Sequence, residues 1–488
     1  MNSPIRRLSV VVAIMFCALL VAGSLIQYFQ AGELAAAPNN RRTLLADYSR
    51  NRGAILIDSV QIAKSDPVDD DMKYLRTYPR GQLYAHVTGY YSFLYGAGGG
   101  IEGAASGLLS GSSDALFYRR LGDLITGKQP TGISLELTID AKAQQAATSG
   151  LGNQRGAVVA LDPRTGAVLA LVSHPQYDPN SLTSHDSAQV QRTWKALNAA
   201  AGRPLLNRAI AGDLYPPGST FKVITAAAAL ASGKYTETSP VEAGASLRLP
   251  GTTATLRNSG GGSCNGGSAD LTAAMARSCN TAFGALGMEL GGDALRTQAR
   301  AFGFNAPLTI PMTVTQSTVG PTPGEPQEAF SAIGQQDVRV TPLQMAMVAA
   351  GIANDGVVMR PYLVAQTRGA DLNVLDKTEP QELSRAVSHE VADAITRMME
   401  RVVADGTGTR AQIDGVAVAG KSGTAEHGFD RGVKRPPHAW FIAFAPADDP
   451  KVAVAVVVED GGDAGSEAAG GKVSAPIARE VMRAVISQ

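Results

Sequence analysis

Cysteine is scarce in this 488-residue chain: there are three, and none has histidine partners at zinc-ligand spacing, so no metal site is expected. An excess of one charge is missing too. Lys and Arg together number 43 and Asp and Glu 43, a balance that leaves no electrostatic footprint for nucleic acid. Of six histidines, none has a carboxylate at a spacing that suggests a Ser-His-Asp triad. His86 and His174 read as structural, and His427 and His438 as candidates to line a cleft. The glycine cluster "GAGGG" (96–100) lacks the strand-then-helix setting of a dinucleotide site, so no cofactor is expected. After residue 30 no apolar run is long enough for a second membrane span.

One such run is present near the start. "LSVVVAIMFCALLVAGSLIQYF", Leu8 to Phe29, is almost wholly apolar and at about 1.5 Å per residue spans a hydrocarbon core of about 30 Å. Arg6 and Arg7 precede it, which puts the N-terminus in the cytoplasm and the remainder outside a plasma membrane crossed once. A cleavable signal peptide is the rival reading, weakened by the length of the run. An outside location is oxidising, so Cys264 and Cys279 could pair across a loop of about 15 residues, worth about 3 kcal/mol. Two buried free thiols are the alternative.

The expected organisation is a cytoplasmic tail (1–7), a transmembrane helix (8–29), a membrane-proximal domain (30–130) and a large domain (131–488). "RGAILIDSVQIAKS" (52–65) alternates as a strand pair would, while 74–111 shows no sustained helical period, so the second segment reads as irregular and mostly β. In the large domain "SLELTID" is a strand, and "AKAQQAATSGL" a helix with Asp140 as N-cap. "GAVVALDPRTGAVLALVSHP" is a hairpin. Three more strands lie in "VAVAGKSGTAE" and "HAWFIAFAPADDPKVAVAVVVEDG", before an amphipathic helix from Ala475 to Ile486. Strands from both ends and a mostly helical middle predict an α+β fold: an antiparallel sheet covered by helices, with a helical subdomain.

Three short motifs carry chemistry. "YPPGSTFK" puts Ser219 and Lys222 one helical turn apart, where a desolvated neutral lysine can take a serine's proton. "RSCNTAF" offers Ser278 and Asn280. "GKSGT" offers Lys421, Ser422, Gly423 and Thr424 on a strand, with glycine where another backbone can approach closely. Each alone is noise, but the order S-x-x-K, S-x-N, K-[ST]-G is the set of penicillin-binding proteins and class A β-lactamases.

With these motifs, and with "LDPRTGAVLALVSHPQYDPN", "TPLQMAMVAAGIANDG" and "GTGTRAQIDGVAVAGKSGTAE", the chain resembles the class B penicillin-binding proteins over nearly its whole length. "YLRTYPRGQLYAHVTGYYS" is similar to the actinobacterial branch of that family. The resemblance implies a peptidoglycan D,D-transpeptidase domain on a non-catalytic pedestal, with stem peptides and β-lactams as ligands. It implies Ser219 as nucleophile and Lys222 as general base. Ser278 would relay a proton, Asn280 bind substrate backbone, and Lys421 supply positive potential. Ser422 and Thr424 would bind the terminal carboxylate beside Gly423, and the backbone N–H groups of Ser219 and Thr424 would form the oxyanion hole. No glycosyltransferase domain precedes the motifs, which points to a separate glycan polymerase among cell-wall synthesis or divisome partners. "GQQD" (334–337) departs from the family's "GQG" and puts the backbone conformation there in question.

A class A β-lactamase should carry a glutamate in an "ExxLN" context between the second and third motifs, and none is found. A carboxypeptidase differs only in using water as acceptor. A non-catalytic scaffold would not need every motif hydroxyl and amine.

Overall fold

A computed structural model describes residues 3–30, 48–113, 131–430 and 433–487. In chain order its principal strands are β1 (Ile55–Ile57), β2 (Val60–Pro67), β3 (Ser134–Leu137), β4 (Gly156–Leu161), β5 (Val168–His174), β6 (Val364–Arg368), β7 (Val374–Lys377), β8 (Ala419–Ala425), β9 (His438–Ala445) and β10 (Val452–Val458). The helices used below are α1 (Ser3–Leu25), α2 (Gly81–Thr88), α3 (Ala141–Leu151), α4 (Lys222–Ala231), α5 (Leu271–Arg277), α6 (Asn280–Leu290), α7 (Pro342–Ala353), α8 (His389–Ala404) and α9 (Gly470–Ile486).

The apolar run folds as α1 with a π turn, Ile26–Gln30, behind it, and buries none of its residues. Among the described residues this is the one helix long and apolar enough to cross a bilayer.

The large sheet runs β8-β9-β10-β4-β5, every pair antiparallel, so the last strands of the chain lie beside the first ones of this domain. β9 and β10 are buried along their whole length because both faces of the sheet are covered. Period-two alternation then divides each strand between two cores. Trp440, Ile442 and Phe444 enter the core shared with α7, whereas Phe441, Ala443 and Ala445 enter the one shared with α3 and α9. Asp140 caps α3 as expected, its carboxylate accepting from Ala143 N–H at 2.7 Å. α9 begins at Gly470, five residues before the expected start; the two glycines there lower helix propensity and hid that turn from the sequence reading.

A second sheet contains β7-β6-β3-β1-β2. β1 and β2 form the hairpin read from alternation, β3 joins β1 in parallel, and β6 runs antiparallel to β3. Its strands therefore come from residues more than 300 apart in sequence, 55 to 377, with β6 and β7 contributed from between α7 and α8.

The stretch 74–111 corrects the sequence reading, because it contains α2. At eight residues α2 is too short to show a period, and its Gly81 and Thr88 are poor helix formers. Burial of Tyr84, Ala85, His86 and Val87 holds it.

Candidate active site

The turn that delivers Ser219 is fastened at four consecutive residues. Tyr215 exchanges backbone hydrogen bonds with Val340 (3.0 and 2.8 Å), and its hydroxyl donates to Glu459 at 2.7 Å. Pro216 O accepts from Trp440 Nε1 at 3.1 Å, Pro217 O accepts from Thr220 Oγ1 at 2.8 Å, and Gly218 N–H donates to Gly334 O at 3.0 Å. Gly218 is left-handed (φ 55°), and a Cβ there would stand 2.7 Å from Thr424 O, so both conformation and space call for glycine. A 3₁₀ turn, Gly218–Phe221, then opens into α4, whose alanines let neighbouring helices close around it until all but its last residue is buried.

Lys222 is therefore wholly inside. Its Nζ contacts Ser278 O and Asn280 Oδ1 at 2.7 Å each and Ser278 Oγ at 3.3 Å. Lys421, equally buried on β8, donates to the same Ser278 Oγ and to Ser422 O, both at 2.8 Å. All three motifs thus converge on one hydroxyl. Burial drives the Lys222 amine well below the ordinary lysine value, and the neighbouring Lys421 cation pushes it the same way. Burial brings Lys421 down to about 7.

A neutral amine has two N–H donors and one lone pair. Ser278 O and Asn280 Oδ1 can only accept, so on a neutral Lys222 they would take both donors and leave the lone pair for a hydroxyl, that of Ser278 standing 3.3 Å away. Ser219 stands one helical turn away, half-buried, and among the described residues its hydroxyl has no hydrogen-bond partner. The Ser219–Lys222 hydrogen bond that the spacing allowed is not formed in this structure, where the Lys222 amine contacts Ser278 and Asn280 instead.

Ser278 caps α5 in the left-handed conformation (φ 59°) that lets Cys279 start α6. Cys264 and Cys279 are disulfide-bonded, which settles the alternative left open above. The side chain of Asn280 is engaged at both ends, Oδ1 with Lys222 and Nδ2 with Arg257 O at 3.0 Å.

β8 is the edge strand of its sheet, paired on one side with β9. Gly423 faces the nucleophile turn, and the backbone that its missing side chain admits includes that of Pro217. Ser422 Oγ lies 2.6 Å from Thr407 Oγ1. Thr407 was not singled out from the sequence; the only signal was its place between glycines in "GTGTR". Tyr215 and Glu459 were also missed, since a pairing across 244 residues leaves no local pattern.

His427 and His438 do line a cleft, of about 430 Å³, with Tyr215, Pro216, Gln335 and Glu426. Their rings stack with centroids 3.5 Å apart and 8° between planes. Near Asp460 they have the composition of a metal site, but two parallel imidazoles cannot both aim an in-plane lone pair at one ion. His438, buried and beside His427, is held down to about 3, and burial holds His86 down to about 4 against the opposing hydrogen bond with Pro204 O at 2.8 Å.

A serine on a pinned turn, a buried amine one helical turn from it and a second amine across a shared hydroxyl are the parts of an acyl-serine transferase. The chain belongs to the penicillin-binding transpeptidase family: residues 156–483 match the penicillin binding protein transpeptidase domain, and residues 52–135 the penicillin binding protein A dimerisation domain. It is 48% identical to the peptidoglycan D,D-transpeptidase PbpA of Mycolicibacterium smegmatis, with both chains covered in full. The crystal structure of penicillin-binding protein A from M. tuberculosis as a ceftriaxone acyl-enzyme superposes with a TM-score of 0.86 at 46% identity, over 91% of this chain and 100% of that one. A D,D-transpeptidase domain from Eggerthella lenta gives 0.75 at 34% identity, over 90% and 99%.

Proposed function

We propose that this protein is a serine-type peptidoglycan D,D-transpeptidase acylated at Ser219 and trapped there by β-lactams. The observation that carries the reading is the wholly buried Lys222 amine, one helical turn from Ser219, held by Ser278 and Asn280 and with no carboxylate partner among the described residues. Ser219 Oγ attacks the carbonyl carbon of the penultimate D-Ala as its proton passes to Lys222. The oxyanion is held by the backbone N–H groups of Ser219 and Thr424, a reading supported by the close approach of Gly218, the residue before Ser219, to the Thr424 backbone. The tetrahedral intermediate then breaks its C–N bond. Ser278, touching both lysines, relays a proton to the departing D-Ala nitrogen. The amine of a second stem peptide attacks the ester, loses a proton and restores Ser219, forming the cross-link. A β-lactam opens its ring in the same first step, but its nitrogen stays tethered and the ester persists.

Asn280 positions Lys222 and offers its remaining capacity to substrate backbone. Lys421 supplies positive potential for the terminal carboxylate, which Ser422 and Thr424 receive beside Gly423. The free edge of β8 suits an extended donor peptide, added as a further strand. The apolar α1 anchors the chain in the plasma membrane with residues 1–7 cytoplasmic and the catalytic domain (131–488) outside, the pedestal (30–130) between them. Work in cell-wall growth or division alongside a separate glycan polymerase follows from the same reading.

Intact mass of the full-length chain in detergent, wild type and Ser219→Ala, after exposure to benzylpenicillin tests this. The expected result is one penicilloyl adduct on the wild type, lasting many minutes, and none on the variant. Adducts on both, or on neither, overturn the assignment of Ser219.

A further inference from the structure

The segment 334–340 carries the departure "GQQD" and then Arg339, and it runs beside the nucleophile turn. It is fixed at both ends: Gly334 O takes the Gly218 N–H at 3.0 Å, and Val340 exchanges backbone bonds with Tyr215. Gln336, where the family pattern has glycine, keeps a left-handed backbone (φ 56°). That conformation presents its carbonyl to Arg339 Nη1 at 2.8 Å, and Val338 O accepts from the same nitrogen at 2.8 Å. The guanidinium is thereby held by two neutral oxygens through one of its nitrogens. Nε and Nη2 are left over.

Five arginines line the cleft of about 430 Å³ that opens under Tyr215 and Pro216, and four of them already meet carboxylates. Arg155 pairs with Glu459 (2.6 Å) and Asp460, Arg208 with Glu459 (2.7 Å), Arg203 with Asp213, and Arg435 with Asp460 (3.4 Å). Arg339 meets none among the described residues and is half-buried, so its charge is immobilised, partly desolvated and unmatched. A planar donor group fixed in that state recognises a carboxylate.

We infer that Arg339 is a specificity-determining residue: with Gln336 it forms a subsite for a carboxylate on the donor peptide upstream of the D-Ala-D-Ala unit. The inference rests on the transpeptidase reading, which gives the cleft its substrate. The site is distinct from the place proposed for the terminal carboxylate, which lies on β8 at Ser422 and Thr424. It favours donors whose upstream residues keep a free carboxylate over those in which that group is a carboxamide.

The acylamino side chain of a penicillin stands where the residue before D-Ala-D-Ala would be, and carbenicillin differs from benzylpenicillin by one carboxylate on that side chain. Both are to be reacted with the full-length wild type, Arg339→Gln and Arg339→Lys, and the quantity read is the ratio of second-order acylation rates, carbenicillin over benzylpenicillin. Loss of one charge-assisted contact should lower the ratio about tenfold in Arg339→Gln, with Arg339→Lys between. A peptide pair ending in D-Ala-D-Ala, carboxylate against carboxamide at the preceding residue, should move the same way in kcat/KM. A ratio equal in all three proteins for both pairs overturns the inference while leaving the acyl-enzyme reading intact. A wild type that forms no adduct with either penicillin overturns that reading, and this subsite with it.

Discussion

Among the described residues, the groups around Glu102 and those around Lys222 are both buried, and they are built on opposite terms. In the pedestal region Glu102 sits between Arg52 and Arg76, each Nε 2.6 Å from a different carboxylate oxygen, with Tyr78 Oη at 3.1 Å. Beside Ser219, Lys222 and Lys421 share Ser278 and have no carboxylate partner among the described residues. Burial penalises charge in both places. For Glu102 burial raises the carboxyl value, but Arg76 and Arg52 together more than offset that, so it lies below the ordinary glutamate value and the set stays ionised. For the lysines nothing opposes burial, and both amines are driven down. Burial of ionisable groups alone is thus no sign of catalysis; buried amines without a counter-charge, beside a serine, are what the proposed chemistry needs. The first arrangement fastens segments distant in sequence, and the second holds the amine proposed as base.

Lys222→Met should show the largest effect: a fall in the benzylpenicillin acylation rate of about 10²–10⁴-fold, the usual contribution of a general base. Its cost in stability should be only about 1–3 kcal/mol, that of leaving Ser278 O and Asn280 Oδ1 one partner short. Glu102→Gln should do the reverse. Acylation should be retained while the protein is folded, and urea unfolding should show a loss of about 3–5 kcal/mol, because two buried guanidinium groups lose their common counter-charge. The wild type should share part of that loss in acid. A carboxyl held below its ordinary value near 4.5 contributes stability above that pH and surrenders it as pH falls through the folded value, so the gap between wild type and Glu102→Gln should narrow below about pH 4.5. Equal destabilisation by the two substitutions would break the comparison.

The candidate site was legible in the sequence because its spacing is local: Ser219 and Lys222 share one turn, Ser278 and Asn280 one helix boundary, Lys421 to Thr424 one strand. The large sheet was legible for a similar reason, since its strands are continuous apolar runs bounded by turn residues. The glutamate-arginine cluster was not, because Glu102 lies 50 residues from Arg52 and 26 from Arg76, and no pattern joins them. The same applies to Tyr215 with Glu459, and to β6 and β7, whose place in the pedestal sheet depends on a chain reversal hundreds of residues from β1. α2 was hidden by its length. Gln336 shows the limit of residue identity as a guide, for a left-handed backbone is adopted there without glycine.

The central claim is that Lys222 is neutral at working pH and that Lys421 helps to keep it so. The pH dependence of the benzylpenicillin acylation rate, in wild type and Lys421→Met, tests it through the midpoint of the acid limb rather than the height of the profile. Protonation removes the lone pair, so the rate falls as pH drops through the Lys222 value. The account predicts a wild-type midpoint well below the ordinary lysine value of 10.5, moving upward in Lys421→Met as the neighbouring cation is removed. A midpoint near 10.5 in the wild type, or one that stays in place in the variant, would contradict it.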